Sequence, residues 1–270
     1  MKKVLFFILT LTLGLTLCAC GKKDEKTTKL VKDRDWKTPG LLISEYQKEN
    51  KKVSTVKMTF KFKDDDGLDY IGYMTFLLFN ETAPISCSNF VKLTENSFYD
   101  NLTITRVVST DLIQGGDPEK TTKSVKKDDQ NTIKGEFEEN KVFNNLSHRR
   151  GVLSMARASD YDSASSQFFV VQNTFTSADG NYAAFGVLLQ EMKKDGDTYK
   201  PYTQEEYDNT RIDGARVLYD YYCLDKIVSL DVENGANDGA PVQTVEIVKC
   251  EVLDKDVNIN TLKYLNYNGE

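Results

Sequence analysis

The stretch TRVVSTDLIQGGDP, residues 105–118, carries one arginine, Arg106, then Gln114 eight positions later and the pair Gly115-Gly116. It holds no cysteine, no serine–histidine pair and no cluster of metal-ligating side chains. A guanidinium keeps its charge and offers five donors in a fixed planar fork. Taken alone, such a residue is expected as a solvated surface charge; within a site, it could stabilise a developing charge. That chemistry needs no nucleophile, no base and no metal.

The usual chemistry-bearing residues are sparse elsewhere. The single histidine, His148 in LSHRRG, is expected in a loop rather than as a ligand. Beyond the N-terminal segment the cysteines are Cys87, Cys223 and Cys250, an odd set with no zinc or redox spacing. They are expected as buried small hydrophobes, and a Cys223–Cys250 disulfide stays open. Asp160, Asp162 and Asp179 are expected in turns, and the runs DDD and KKDD in solvated loops. GGD lacks the pattern of a phosphate-cradling loop, so nucleotide binding is not expected.

The N-terminus is a separate matter. MKKVLFFILTLTLGLTLCAC opens with Lys2 and Lys3 and continues as an apolar run to Leu17, the order of a secretory signal. The run falls short of the roughly 20 residues of a membrane span. Its end, LCAC, resembles the lipobox of bacterial lipoproteins, with Cys20 as the lipidated residue and Leu17 and Ala19 in the flanking places. The expected organisation is a signal peptide over 1–19, a lipid-anchored flexible tether over 20–52, a domain over 53–256 with an insertion near 191–215, and a tail over 257–270. A short helix within the tether, at TPGLLISEYQKEN, is also open. Without Lys2 and Lys3 the 35 basic side chains become 33 against 41 acidic ones, a net charge of −8. Such a chain is a poor partner for nucleic acid or for anionic lipid. The lipid, not charge, is expected to hold it at the outer side of a bacterial cytoplasmic membrane, as a monomer.

Alternation of apolar and polar residues from Val53 predicts strands at VSTVKMTFKF and YIGYMTFLLF, joined by the turn DDDGLD. A helix follows from Pro84, which suits a first-turn position. Short strands are expected at LTITRVV, DLIQGG, GVLSMAR, SQFFVVQN, YAAFGVLL and PVQTVEIVKCEVL. A second helix is expected over RVLYDYYCLDKIVSL, from the spacing of Val217, Leu218, Tyr221 and Leu224. Many short strands with two helices predict a mainly β barrel or sandwich.

Five blocks in order carry a specific likeness: FLLFNETAPISCSNFVKL, FYDNLTITRVVSTDLIQGGDP, TIKGEF, GVLSMARASDYDSASSQFFVVQN and DGNYAAFGVLL. Together they resemble the cyclophilin family of peptidyl-prolyl cis-trans isomerases over about residues 70–250. The resemblance implies a closed eight-stranded antiparallel β-barrel capped by two α-helices, with the active site on the outer face and no cofactor. It implies that Arg106 is the catalytic residue and that Gln114 orients it or binds substrate backbone. Leu112 and Phe169 are implied as walls of a proline pocket, Gln167 as a backbone-binding residue, Ala156 and Arg157 as groove lining, and Tyr182 as a donor to the peptide. The implied partners are proline-containing segments of unfolded or secreted proteins.

The chain departs from the family's pattern at informative places. Ile104-Thr105 replace a Phe-His before the arginine, and Asp111 stands where a Phe is usual. Ser177-Ala178 replace a Trp-Leu, and Arg157 replaces an Asn. Asp111 removes an apolar wall and could pair with Arg106, while an alternative register puts Leu112 in the missing wall. A wider and more polar pocket near Ala178 leaves a rival reading, a peptide-binding or chaperone module that scarcely catalyses. A solute-binding lipoprotein ranks last, since two α/β lobes are not evident. The anchor is testable directly: Cys20→Ser is expected to move the protein out of the membrane fraction, and an unacylated Cys20 peptide from the unaltered protein would refute the lipid assignment.

Overall fold

The computed structural model describes residues 35–120, 131–190, 192–195 and 198–262. The signal peptide, Cys20 and the last eight residues lie outside this set. Strand β1 (Lys52–Lys63) and β2 (Asp69–Leu78) form a long antiparallel hairpin from Ser54 opposite Leu78 to Lys63 opposite Asp69. Their alternation puts Val56, Met58, Phe60 and Phe62 of β1, and Tyr70, Met74, Phe76 and Leu78 of β2, into one interior. Helix α1 (Pro39–Glu49) precedes the hairpin and α2 (Pro84–Glu95) follows it. Then come β3 (Ile104–Val108), β4 (Leu112–Gly115), β5 (Val152–Met155), β6 (Phe168–Val171) and β7 (Ala184–Leu188). Beyond them lie β8 (Met192–Asp195), β9 (Thr198–Pro201), α3 (Gln204–Asn209), β10 (Arg211–Ile212), β11 (Ala215–Tyr219), α4 (Asp220–Val228), β12 (Asp238–Gly239) and β13 (Glu246–Asn258).

Eight of these strands form a ring. β13 pairs with β1, β1 with β2, β2 with β7, and the order continues β5, β6, β4, β3. The ring closes where Thr103 bridges Glu246. There Asn101 N donates to Ile247 O at 2.7 Å, Ile247 N to Leu102 O at 2.8 Å and Ile104 N to Val245 O at 2.9 Å. The interior is packed solid around Phe90, Tyr99, Phe168 and Phe185, whose rings meet at 5.0–5.8 Å. A packed barrel leaves chemistry to its outer face.

α2 caps one end. It begins at Pro84, and its free backbone donors Ile85 N and Ser86 N are met by the Glu136 carboxylate at 2.9 and 2.7 Å. A carboxylate at a helix N-terminus satisfies orphan donors and the dipole together. α4 starts later than its spacing suggests. Residues 215–219 are the strand β11, which pairs in parallel with β2, and the helix begins only at Asp220. Asp220 has φ 46°, and its carboxylate accepts from Thr75 N at 3.0 Å. Pairing with the free edge of β2 outweighs the local helical pattern here.

The boundaries also differ from the sequence expectation. Residues 35–52 belong to the fold rather than to a flexible tether. Leu42, Ile43 and Tyr46 of α1 join an outer apolar cluster with Phe79, Leu77, Val187 and Ile259. Tyr46 is fully buried, stacks edge-on against Phe79 at 5.1 Å and shares a hydrogen bond with Thr82 Oγ1 at 2.8 Å. The segment just after β13 is equally docked, for Ile259 N donates to Lys51 O at 3.0 Å. Within the insertion, β8 and β9 pair as a hairpin. Its exit is held by a stack of rings, Tyr202 on Tyr219 at 4.9 Å and Tyr219 on Tyr73 at 5.3 Å. Beside the two capping helices, α1 and the short α3 are additional.

Cys87, Cys223 and Cys250 are free and buried. Cys223 packs on Gly72, while Cys250 meets Thr94 Oγ1 at 3.4 Å. Burial pushes the Cys250 thiol up to about 12, so its ionised form is absent at neutral pH. A tether could be altered freely, but a docked helix could not. Tyr46→Ala is therefore expected to cost about 3–5 kcal/mol, as for other large-to-small changes in a core. The urea unfolding midpoint measures it.

Candidate active site

The outer face carries its own pattern. On β4, Ile113 points into the barrel while Leu112 and Gln114 face outward. On β6, Phe168 and Val170 are interior while Phe169 and Val171 belong to the outer cluster. Strict alternation on β3 would turn Arg106 inward with Ile104. A bulge prevents this, since Ile104 faces Gly115 and Arg106 faces Gln114, leaving Thr105 as the extra residue. The bulge keeps Ile104 and Val107 inside and aims Arg106 outward. Gly116 has φ 84°, and a Cβ there would meet Ser166 O at 2.5 Å, so the second glycine of the turn is structurally required.

Four side chains from adjacent strands form one hydrogen-bonded chain across this face. Arg106 Nε and Nη2 donate to Asp238 Oδ1 and Oδ2, each at 2.5 Å. Arg106 Nη1 reaches Gln114 Oε1 at 3.5 Å, and Gln114 Nε2 donates to Gln167 Oε1 at 2.9 Å. Asp238 raises the guanidinium above its already high ordinary value, and Tyr182 adds a smaller contribution in the same direction. Arg106 is therefore charged at every accessible pH.

Asp111 is not the partner of Arg106. It lies in the turn between β3 and β4, where its carboxylate accepts from Thr110 Oγ1 at 3.0 Å and its carbonyl from Gln172 N at 2.7 Å. The arginine's partner is Asp238, 132 residues further along the chain. Such a pairing leaves no local sequence signal.

Leu112 and Phe169 adjoin the chain but are only 5% and 4% exposed. Phe169 is framed by Tyr182 at 5.7 Å edge-on, Phe175 at 6.5 Å and His148 stacked at 5.8 Å. Ala178 is buried, and its carbonyl accepts from Tyr182 N at 3.1 Å, so it builds the turn that presents Tyr182. Ala156 N donates to Gln167 O at 2.9 Å. Arg157 is enclosed by the rings of Tyr182, Phe137 and Tyr161 at 4.7, 5.1 and 5.1 Å, and its Nε donates to Asn181 O at 3.0 Å. Nine of the ten groove and catalytic residues picked from the sequence thus lie on β3, β4, β6 or the loops flanking β5, β6 and β7, and the tenth, Asp111, lies in the β3–β4 turn.

His148 lies outside the helices and strands, as expected, but it is fully buried beneath Phe169. Its Nδ1 meets Asp179 Oδ1 at 2.8 Å, its Nε2 meets Ser154 Oγ at 3.0 Å, and its backbone N donates to Asp179 Oδ1 at 2.7 Å. Ser147 Oγ donates to Asp179 Oδ2 at 2.7 Å. Asp179 lies in a turn, as expected, and is buried there with its carboxylate turned to these donors. The order Ser154–His148–Asp179 resembles a hydrolytic triad. Ser154 has no exposed surface, so no acyl group can reach it. The network instead supports the floor under Phe169.

Comparison with known proteins agrees with this fold. The family model "Cyclophilin type peptidyl-prolyl cis-trans isomerase/CLD" matches residues 59–194. A peptidyl-prolyl cis-trans isomerase of Acinetobacter baylyi is 39% identical over 127 residues, 45% of this chain and 64% of that protein. A peptidyl-prolyl cis-trans isomerase-like 1 protein of Neurospora crassa is 34% identical over 123 residues, 45% of this chain and 72% of that one. The chain thus spans just under two thirds of the Acinetobacter relative. A crystal structure of a cyclophilin type isomerase of Cryptosporidium parvum superposes with a TM-score of 0.52 at 20% identity, covering 75% of this chain and 99% of the other. That last likeness concerns the fold.

The buried network makes a stability prediction. Asp179→Ala leaves Ser147 Oγ, His148 N and His148 Nδ1 without their acceptor, and each stranded donor costs about 1–3 kcal/mol. A loss of at least about 3 kcal/mol is expected in denaturant unfolding. Ester hydrolysis is expected from neither the parent nor the variant.

Proposed function

The chain belongs to the cyclophilin type peptidyl-prolyl cis-trans isomerase family, and on that premise we propose that it accelerates exchange at Xaa-Pro bonds in unfolded or secreted proteins outside the cytoplasmic membrane. The uncatalysed reaction turns a planar amide through a twisted state, over a barrier of about 18–20 kcal/mol. It takes tens to hundreds of seconds and can limit folding. Twisting localises a lone pair on the prolyl nitrogen, and no covalent bond breaks.

The observation that carries the reading is a permanently charged guanidinium on the outer face, beside the apolar pair Leu112 and Phe169. A donor aimed at the prolyl nitrogen or the neighbouring carbonyl binds the twisted amide more strongly than the planar one. Only that difference lowers the barrier. Leu112 and Phe169 take the ring, Gln114 and Gln167 take peptide backbone, Ala156 and Arg157 line the path, and Tyr182 donates from the far side. Ala178 and Asp111 border the site where bulkier apolar residues would narrow it. The N-terminal sequence supports placing this activity at a lipid anchor through Cys20.

A second reading keeps one specific support. Leu112 and Phe169 show little open surface, so a prolyl ring meets a shallow recess. A module that holds peptides with little turnover fits that shape. Exchange spectroscopy by NMR on an Xaa-Pro peptide separates the two. The full-length chain is expected to accelerate exchange, and Arg106→Ala to lower the rate by about 10²–10³, as for loss of a principal electrostatic donor. Peptide shifts without acceleration would favour the holding module.

A further inference from the structure

Arg106 commits donors before any peptide arrives. Its Nε and Nη2 both donate to Asp238, while the Gln114 contact on Nη1 is long at 3.5 Å. Gln114 alone is therefore a weak constraint on the guanidinium. The strong constraint comes from Asp238, and Asp238 is itself carried on an ordered arm. β12 pairs antiparallel with β3, Asp238 opposite Val108 and Gly239 opposite Val107. Ser109 N donates to Asn237 O at 3.0 Å. The arm is braced at its base, with Val232 bridged to Pro241, Glu233 N donating to Ala240 O at 2.9 Å and Val242 N to Asp231 O at 2.8 Å. The carboxylate thus has a fixed origin on the strand next to the arginine's own.

We propose that Asp238 is a positioning residue for the isomerisation, acting through Arg106. A bidentate pair fixes both the plane and the rotation of a guanidinium. With the Nε/Nη2 edge gripped by Asp238 and one Nη1 hydrogen turned to Gln114, one Nη1 and one Nη2 hydrogen remain on the adjacent Nη1/Nη2 edge for the twisting amide. Effective catalysis needs the donor already aimed, since reorientation during the reaction subtracts from its benefit. The opposing effect is charge neutralisation, because a paired guanidinium is a weaker cation. Asp238 is 49% exposed, so solvent screens its charge while the geometry of the grip persists. Positioning therefore outweighs neutralisation. The role rests on the isomerase reading given above.

The test uses the full-length chain and an Xaa-Pro peptide, with exchange rates giving kcat and KM separately. Asp238→Ala is expected to lower kcat about tenfold with little change in KM, and Asp238→Glu to recover part of it. The Arg106 Nε–H resonance is expected to be sharp and slowly exchanging in the parent, and to broaden and exchange faster in Asp238→Ala. The thermal midpoint reports whether the variant stays folded, and Asp238→Asn, which keeps the shape and loses the charge, replaces it where folding is lost. An active parent with an equally active folded variant would overturn the positioning role alone. A faster variant would also overturn it, making Asp238 a brake. A parent that accelerates nothing would overturn the isomerase reading, and the positioning role of Asp238 with it.

Discussion

Closure of the eight-strand ring is the constraint from which the rest follows. Three backbone hydrogen bonds between residues 101–104 and 245–247 join β3 to β13 and remove both free edges. A closed ring of this size has an interior just wide enough for side chains. Phe60, Phe76, Phe90, Phe168 and Phe185 fill it with no exposed surface beyond 1%. Nothing else can enter, so binding and chemistry move to the outside. Each strand then has two jobs, an apolar inner row for stability and an outer row free for function.

The outer row of β3, β4 and β6 is continuous because neighbouring strands lie about 4.7–4.9 Å apart. That spacing lets side chains hand hydrogen bonds across the sheet, from Asp238 to Arg106 to Gln114 to Gln167. A similar logic holds behind the site. Phe169 faces outward on β6 and needs a backing, which the buried His148–Asp179–Ser154 network provides from beneath. Fully satisfied polar groups in a dry interior hold a single arrangement. The apolar floor is thereby as fixed as the polar chain beside it.

The insertion attaches away from this surface, whereas the β12 arm adjoins it. β11 adds to the edge of β2 that β7 leaves free, and the Tyr73–Tyr219–Tyr202 stack seats the insertion there. β2 lies opposite β4 in the ring, four strands away in either direction. α1 covers apolar outer surface contributed by Leu77, Phe79 and Val187, which would otherwise face water. Its short run of polar-flanked apolar residues looks like a spacer because its partners come from three other elements.

The sequence by itself pointed to a mainly β barrel or sandwich and located the strands of the barrel, and its likeness to a known family singled out Arg106, Gln114, Gln167 and Phe169. Those features rest on local order: alternation along each strand, Pro84 at a helix start, and blocks whose residues are near neighbours in the chain. It also settled that no zinc or redox cysteine motif is present. Tertiary structure alone decided the rest. The outward aim of Arg106 depends on a bulge at Thr105, visible only in its register against β4. Its ion-pair partner is Asp238 rather than nearby Asp111, because β12 returns beside β3 after 132 residues. The helix at 216–230 begins late because the edge of β2 was open to pairing. His148 is buried because the fold brings Asp179 and Ser154 to its two ring nitrogens. In each case the energy lies in contacts between segments far apart in sequence, and a pattern confined to one segment carries no record of them.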